Sequence, residues 1–550
     1  MKAFSDTRDT GLRQPAGGSG HAPAHPAALM PFVSLRLRRW GAWTLLLLAG
    51  SLTAGVAQAA EPLVSDAASH AVLAVFRLIL LVIACLLLIY SARHYWFTLT
   101  RMFGRQAPLH ANIEAANWPR VVVLIAAHNE EAVIEGCIQS LLDCDYPTDR
   151  LLLMPVNDRS TDGTRTIIDR FAAMYPDRLH PFHRVEGKPG KAAALKDATD
   201  IAREHHFAGR HHADAHAEAG AEQTADEQAA LDKVRVLQEA TAIVTSENLA
   251  ELILVFDADY LPNRQLIKQL VAPFFDPEVG AVMGRVVPQN AAVNFLTRLL
   301  DLERSAGYQV DQQARYSLGA VPQYGGTVGG VRLSALASVG GWNVDMLAED
   351  TDLTYRLLLR GWHTAYLNHA ECYEEVPQVW EVRFRQISRW AKGHNQVMVR
   401  YASRVFFGRH LSWTQRLDGL ALLGVFFMSP VLLLGWILSA IVALVGTSFT
   451  AGMIPWEFWF LLLMTCLTTA GNFAAFVQVA AAVHLDGHQQ RIRLLPLMFS
   501  GFLVSLMAIT KASIDGLLVD PVFRREFKWD KTARYRAPSP QGAPAKGDAP

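Results

Sequence analysis

The twenty residues 71–90 are apolar except for Arg77, and this run limits the possible fold more than any other feature. A helix of this length crosses the hydrocarbon core of a bilayer. Three arginines follow between residues 93 and 105. The positive-inside rule therefore predicts a transmembrane helix over residues 71–92, with the segment that follows it in the cytoplasm.

Three more apolar stretches, 420–445, 458–483 and 494–509, predict a C-terminal transmembrane region over residues 418–518. The first two stretches are long enough to span a bilayer, and the third is marginal. The basic tail, 519–550, belongs in the cytoplasm by the positive-inside rule, yet three full spans would put it outside. Either one stretch is interfacial or re-entrant, with the short third as the leading candidate, or the tail departs from the rule.

The first sixty residues predict no packed domain. Residues 1–35 are rich in Gly, Pro, Ala and His, a composition typical of a disordered N-terminus. Residues 36–60 combine arginines, a short apolar core and a small-x-small site, which predicts a signal peptide or an uncleaved first membrane helix. A signal peptide of ordinary length would begin at Met30 rather than at Met1.

Composition narrows the class of protein. The 550 residues include 51 Lys and Arg and 51 Asp and Glu, so no global basic field is available to hold nucleic acid. Charged residues make up 19%, below the roughly 25% of soluble domains, which fits a chain with part of its surface in lipid. Five cysteines without a CxxC pair argue against a disulfide framework or a structural zinc site.

Residues 118–403 have the composition of a soluble α/β domain. Short β-branched runs at 119–125, 151–156 and 252–256 alternate with helix-like segments, which predicts a mostly parallel sheet with ligands at the carboxyl ends of its strands. The segment 204–248, rich in Ala, Glu and His, interrupts this alternation. We interpret it as a solvated, partly helical insertion rather than a metal site, because it lacks regular ligand spacing.

Acidic residues follow all three predicted strands. Residues 128–131 read His-Asn-Glu-Glu after the first strand, Asp158 follows the second, and Asp257 and Asp259 follow the third. Carboxylates at strand ends face the ligand crevice, and two of them at i and i+2 can bind one hard divalent cation that carries phosphate oxygens. One such cluster alone is usually a solvated turn, but three in order favour a site.

Two further clusters lie on predicted helices. Glu349 and Asp350 open one helix, where acids also cap the N-terminus or interact with the helix dipole. Gln386, Arg389 and Trp390 lie on one face of another helix. Their amide, guanidinium and indole groups suit a phosphorylated sugar, whereas the alternative is a helix that packs on the membrane interface.

In this order the five clusters resemble the membrane-embedded branch of family 2 glycosyltransferases, which includes cellulose, hyaluronan, chitin and poly-N-acetylglucosamine synthases. The shared signature is an Asp after the second strand, Asp-x-Asp, a Thr-Glu-Asp-like acid and Gln-x-x-Arg-Trp, and the resemblance covers residues 118–400. It implies a GT-A-like nucleotide-sugar domain flanked by transmembrane helices, a UDP-sugar donor and Mg²⁺ or Mn²⁺. It also implies a multi-pass protein of the inner (cytoplasmic) membrane, with a cytoplasmic catalytic domain, contacts with membrane lipids and a possible periplasmic or export partner.

The resemblance assigns roles to individual residues. Asp350 corresponds to the catalytic base. The residues assigned to substrate binding are Asp158, Lys191, Asp257, Glu349, Gln386, Arg389 and Trp390. The residues assigned to the metal are Asp257 and Asp259. Within the substrate set, Asp158 would contact the uridine, and the Gln-x-x-Arg-Trp residues would hold the diphosphate and the acceptor.

Some positions depart from the family pattern. Asn157 replaces an Asp found in many members, and Ala348 replaces the usual Thr or Ser before the acidic pair. Residues 324–330 differ from the Phe-Phe-Cys-Gly-Ser-like motif of cellulose synthases, which argues against cellulose as the product.

Together these residues predict an inverting β-glycosyltransferase. Asp350 would deprotonate the acceptor hydroxyl, while the cation and Arg389 would neutralise the leaving diphosphate. We expect processive synthesis of a growing glycan coupled to membrane translocation. Two alternatives stay open: transfer of a single sugar to a membrane lipid acceptor, and a catalytically inactive membrane scaffold.

Overall fold

A computed structural model describes residues 67–107, 117–204, 251–445, 471 and 473–519. The predicted N-terminal disorder and signal peptide, nearly all of the insertion, the basic tail and the start of the second C-terminal apolar stretch lie outside the described residues. The chain divides into two units, residues 74–439 with 452–550 and residues 1–73 with 440–451. The sheet and the site belong to the first unit.

An eight-stranded mixed sheet forms the centre of this unit. Its strands are β1 (Val121–Ala127), β2 (Leu151–Asp158), β3 (Phe182–Arg184), β4 (Leu252–Asp257), β5 (Leu261–Pro262), β6 (Val279–Pro288), β7 (Gly329–Arg332) and β8 (His363–Glu374). The strand order is β3-β2-β1-β4-β7-β6-β8-β5. Neighbours are parallel from β3 through β4 and between β6 and β8, and antiparallel elsewhere. The prediction of an α/β domain with a mostly parallel sheet is confirmed.

Helices surround the sheet and extend beyond it. They are α1 (Ala67–Phe103), α2 (Ile134–Leu142), α3 (Thr164–Met174), α4 (Lys191–Ala202), α5 (Leu266–Val271), α6 (Phe295–Ser305), α7 (Gln313–Ser317), α8 (Leu333–Ser338), α9 (Glu349–Leu359), α10 (Trp380–Phe406), α11 (Trp413–Gly424), α12 (Met428–Val445), α13 (Ala474–Leu485) and α14 (Met498–Ile514). The two helices that carry the acidic pair and the Gln-x-x-Arg-Trp residues are α9 and α10, as the sequence predicts.

The central strands are buried on both faces. Val123 and Ile125 of β1 pack in one cluster with α2, whereas Val122 and Leu124 pack in another with Leu195 of α4. Because successive side chains point to opposite faces and both faces are buried, the strand is a continuous apolar run in the sequence. The parallel register then places the carboxyl ends of β2, β1 and β4 side by side at one edge of the sheet.

Among the described residues, two helices are long and apolar enough to cross a membrane, Ala74–Phe103 and Gln489–Val519. A third candidate is the pair Trp413–Gly424 and Met428–Val442, which is bent by 68°. The stretch 494–509, predicted to be the weakest span, is thus part of a longer apolar helix. A 3₁₀ turn before α14 and a π turn after it, Asp515–Val519, supply the extra length. The bend falls instead within the stretch 420–445.

Candidate active site

Asp158 ends β2, and basic and backbone donors surround its carboxylate. Arg184 donates to Oδ1 at 2.6 Å, Arg159 donates to the same oxygen at 2.9 Å, and the Gly190 N–H donates to Oδ2 at 3.1 Å. Gly190 has a φ of +116°, a left-handed value that favours glycine. Asp158 therefore fixes the loop that leads into α4.

Sequence reasoning missed Arg184, although its position carries a signal. Arg184 is the last residue of β3 and stands in register with Asp158 at the end of β2. Its guanidinium is buried and also pairs with Asp197 at 2.9 Å. A basic residue at the end of a short strand next to an acidic strand end predicts such a pair, because parallel strands end at the same edge.

Lys191 and Asp257 meet at the same edge of the sheet. Lys191 is the first residue of α4, and its Nζ donates to Asp257 Oδ1 at 2.5 Å. Burial opposes the charge of the ammonium, but Asp257 and then Glu349 outweigh burial and raise the pKa of Lys191. The structure thus brings together a residue assigned to the nucleotide and one assigned to the cation.

Asp259 lies on the turn after β4 and is buried, with 2% of its surface exposed. The backbone N–H of Asp257 donates to the Thr327 hydroxyl at 3.1 Å, which anchors the beginning of this turn. Among the described residues, no group of three or more His, Cys, Asp or Glu side chains forms a complete metal site. Protein carboxylates here would therefore supply only part of a coordination sphere.

Asp350 lies in the first turn of α9, beside a glycine turn. Its Oδ1 accepts hydrogen bonds from the N–H of Thr351 at 2.6 Å and from the hydroxyl of the same residue at 3.3 Å. A Cβ on Gly326 would lie 2.9 Å from the Asp350 Cβ, so a side chain at that position would displace the carboxylate. Both hydrogen bonds end on Oδ1, which leaves Oδ2 to accept a proton.

Glu349 precedes Asp350 and titrates differently from an ordinary carboxyl. Burial, followed by the negative charge of Asp350, raises the pKa of Glu349 to about 7, and Lys191 only partly opposes this increase. Tyr324 is fully buried nearby, and both acids of the pair help to raise its pKa above the ordinary value, after burial itself. A dense acidic group therefore faces the Lys191 ammonium.

Trp390, on α10, lies beneath two guanidiniums. The Cζ of Arg304 is 5.2 Å from the ring centroid, and that of Arg383 is 5.4 Å away. Arg383 also donates to Gln386 Oε1 at 3.0 Å and pairs with Glu303 at 2.5 Å. Cation–π contacts with anchored guanidiniums fix the orientation of an indole ring.

A buried polar chain links this tryptophan to the strand end that carries the acids. Arg304 Nε donates to Glu374 Oε1 at 2.5 Å, and the hydroxyl of Tyr260 donates to Glu374 Oε2 at 3.0 Å. Tyr260 directly follows Asp259 in the chain. Arg304 carries no sequence signal, because α6 and α10 meet only through the fold.

His394 is a second residue that sequence reasoning missed. Its Nε2 lies 3.2 Å from the Thr351 hydroxyl, next to Asp350, and burial lowers the pKa of the imidazole to about 4. Spacing could have found it, because Gln386, Trp390 and His394 recur every four residues along one face of α10. Arg389 lies on the same helix and is half-buried.

Two family models and several known proteins match this chain. The family described as Glycosyl transferase family 2 matches residues 122–215, and Glycosyl transferase family group 2 matches residues 252–475. The chain is 26% identical over 428 residues to the Probable glycosyltransferase YdaM of Bacillus subtilis (strain 168), which covers 76% of this chain and 87% of that protein.

Two other similarities extend the comparison. The Beta-monoglucosyldiacylglycerol synthase of Synechocystis sp. (strain ATCC 27184 / PCC 6803 / Kazusa) is 29% identical over 314 residues, which cover 57% of this chain and about half, 55%, of that protein. The solved structure of mannosyltransferase PcManGT from Pyrobaculum calidifontis, in complex with GDP-Man and Mn²⁺, superposes with a TM-score of 0.49 at 20% identity and covers 81% of this chain and 99% of that one.

The matches to family 2 span both halves of the sheet and continue through α10. The prediction of an enzyme is confirmed, and the alternative of an inactive scaffold is not supported by these matches. The chain carries family 2 glycosyltransferase domains and is a glycosyltransferase.

Proposed function

We propose that this protein is a membrane-bound, inverting β-glycosyltransferase that takes a UDP-sugar, with Asp350 as the base. One observation carries this proposal: Lys191 contacts Asp257 at 2.5 Å, while Glu349 and Asp350 are near enough to raise the pKa of the same ammonium. The residues assigned to the donor and those assigned to the base therefore form one electrostatic unit.

In the proposed reaction, the acceptor hydroxyl oxygen attacks the anomeric carbon of the donor sugar. The bond from that carbon to the diphosphate oxygen breaks, and UDP leaves with the bonding electrons. Asp350 Oδ2 takes the hydroxyl proton. A single displacement inverts the anomeric centre, so an α-linked donor gives a β-glycoside and no covalent enzyme intermediate forms.

Basic residues at the sheet edge would bind the donor. Asp158 and Arg184 form a buried pair where the family resemblance puts the uridine. Lys191 would exchange its contact with Asp257 for the diphosphate, because a doubly charged group competes well for an ammonium. Arg389 would take the other side of the diphosphate.

Asp257 and Asp259 fit Mg²⁺ or Mn²⁺ as oxygen donors two residues apart on one turn. Hard cations of this kind accept one or two protein carboxylates and complete their coordination with substrate phosphates and water. The 2.5 Å contact with Lys191 indicates that Asp257 already stabilises a positive charge. When bound, the cation would neutralise charge on the departing diphosphate.

For the acceptor we propose a growing glycan, extended processively and moved across the membrane. Trp390 supports this choice, because a ring fixed by two guanidiniums offers each new terminal sugar the same flat surface. A membrane lipid that receives one sugar is the second candidate. The similarity to a Beta-monoglucosyldiacylglycerol synthase favours it.

Product analysis tests the proposal and separates the two acceptors. Membranes containing the full chain are incubated with a panel of UDP-sugars, UDP release is followed, and products are sized by mass spectrometry. We expect a β-linked polymer. A lipid carrying one β-linked sugar would establish the second candidate, and an α-linked product would overturn the inverting mechanism.

We further propose a multi-pass protein of the inner membrane, with residues 118–403 in the cytoplasm. Asp486, in the loop after α13, pairs with Arg285 of β6 at 2.6 Å, so this loop lies against the catalytic sheet. Both segments would therefore be on one side of the membrane. A cysteine at exposed Asp177 should resist an impermeant thiol reagent in intact cells, and efficient labelling from outside would overturn this topology.

A further inference from the structure

The junction of α10 and α11 carries a group of exposed apolar side chains. Phe406, Phe407, Trp413 and Leu417 are 57%, 72%, 74% and 64% exposed. With Arg409, Arg416 and Leu420 they line a cavity of about 300 Å³, which we call the 406–420 cavity. A contiguous, exposed apolar surface of this kind is typical of a ligand-binding or membrane-contact site.

The chain segment that contains the 406–420 cavity is positively charged. Residues 396–417 contain four arginines and no Asp or Glu. Arg416 lies with its Cζ 5.1 Å from the centroid of the Trp413 ring, and its Nε donates to the Leu411 carbonyl at 3.1 Å. The next acid, Asp418, is buried and pairs with Arg93 at 3.1 Å.

Among the described residues, Arg409 has no acidic partner. It forms no ion pair within the part of the chain that the structure describes, and its side chain is exposed at the rim of the cavity. A guanidinium presents a planar fork of donors that matches phosphate oxygens. An arginine placed this way beside an apolar cavity suits a ligand with both a phosphate and a hydrocarbon part.

We infer that the 406–420 cavity binds an anionic phospholipid, with an acyl chain against its aromatic residues and the phosphate at Arg409 and Arg416. Free phosphate would account for the arginines but not for the apolar lining. A zwitterionic lipid would account for the lining but would leave the positive charge without compensation. An anionic phospholipid accounts for both features.

The position of the cavity along the chain supports a lipid ligand. α11 leads directly into the apolar helix α12, and the two form the bent pair that is a candidate for a broken span. Aromatic and basic residues at the end of an apolar helix are typical of the headgroup level of a bilayer. The cavity therefore lies where a phospholipid headgroup is available.

This site is separate from the face of α10 that carries Trp390. Phe406 follows Trp390 by sixteen residues of α10, which corresponds to roughly 24 Å along a helix axis. Substitutions at Arg409 and Arg416 should therefore leave sugar transfer in detergent unchanged. The inference does not depend on which acceptor the enzyme uses.

Lipid retention by the purified full chain tests the site. The protein in detergent is mixed with phosphatidylglycerol or phosphatidylcholine of identical acyl chains, and retained lipid is counted by native mass spectrometry. We expect retention of one phosphatidylglycerol in preference to phosphatidylcholine by roughly 25-fold, since each of the two arginines near a lipid surface contributes about fivefold. Arg409→Gln with Arg416→Gln should abolish this preference while UDP release stays unchanged.

Three controls sharpen the result. Arg165→Gln with Arg170→Gln removes two exposed arginines of α3, outside the cavity lining, and should retain the preference. Trp413→Ser should reduce retention of both lipids, and Arg409→Gln alone should reduce the preference if the double variant misfolds. Equal retention of the two lipids by the wild type, or an unchanged preference in the double variant, would overturn the inference. Displacement of phosphatidylglycerol by equimolar glycerol 3-phosphate would overturn it as well, because the phosphate alone would then be recognised.

Discussion

The proposed donor end of the site and the proposed acceptor helix, α10, are built in different ways. At the donor end, Asp158 and Asp257 terminate neighbouring regions of one sheet, and the basic side chains Arg184 and Lys191 meet them directly. On the acceptor helix α10, Trp390 has no charge of its own, and guanidiniums above its ring fix its orientation.

This difference separates two physical tasks. The donor end contains acid–base pairs that a diphosphate and a cation can replace, so its substitutions should act on charge and on the chemical step. The proposed acceptor helix presents a fixed surface, so its substitutions should act on acceptor affinity if that role is correct. Asp350 lies between them, next to the Thr351 hydroxyl that contacts His394 of α10.

The largest effect on the transfer rate is expected from Asp350→Asn, which tests whether Asp350 acts as the base in the chemical step. Asn caps a helix about as well as Asp. Loss of a general base lowers the rate by about 10²- to 10⁴-fold. Stability and donor binding should stay normal while single-turnover transfer falls by that factor. A rate within a few-fold of wild type would make Glu349 the candidate base.

The next largest effect on the transfer rate is expected from Asp259→Ala, because this substitution removes one of the two carboxylates proposed for the cation. Transfer should fall on the order of 10²- to 10³-fold, the usual loss when stabilisation of a developing charge is removed. Mn²⁺ binding, followed by electron paramagnetic resonance, should weaken in parallel. Asp177→Ala, on the exposed surface, is the matched control. Full wild-type activity in excess EDTA would contradict the metal role.

Arg304→Gln tests the acceptor side of the comparison. Loss of one cation–π contact costs about 0.5–2 kcal/mol, so KM for the acceptor should rise by about two- to thirtyfold. KM for the donor should stay constant, and Arg304→Lys should partly restore the acceptor value. Because Arg304→Gln also strips Glu374 of its partner, Arg304→Gln with Glu374→Gln is the control for stability. An equal rise in both KM values would indicate a purely structural role.

The smallest effect is a pH dependence of stability caused by Glu349. Its pKa is raised from 4.5 to about 7 in the folded protein, so the unfolded chain loses this proton at lower pH. The contribution of Glu349 to stability is therefore fully present below about pH 4.5 and is lost as pH rises through 7. Between pH 5 and 8, Tm of the substrate-free wild type should fall a few degrees more than Tm of Glu349→Gln. Parallel curves for the two proteins would contradict the raised pKa.

The sequence by itself determined the class of fold and the ends of its central strands. The predicted strands at 151–156 and 252–256 extend only one or two residues further in the structure. The acidic helix begins at Glu349, as its acids indicate. Strand burial and helix capping are local, so they leave a pattern in consecutive residues. The roles of the acids and the number of spans stay predictions.

Only the tertiary structure decided which side chains meet across the site. Arg304 reaches Trp390 from a helix 86 residues earlier in the chain, and His394 reaches Thr351 from one 43 residues later. The 68° bend between α11 and α12 is a similar case. These contacts depend on how separate elements pack in three dimensions. The spacing of residues within one helix or strand therefore shows which of them share a face. It does not show which distant residue that face contacts.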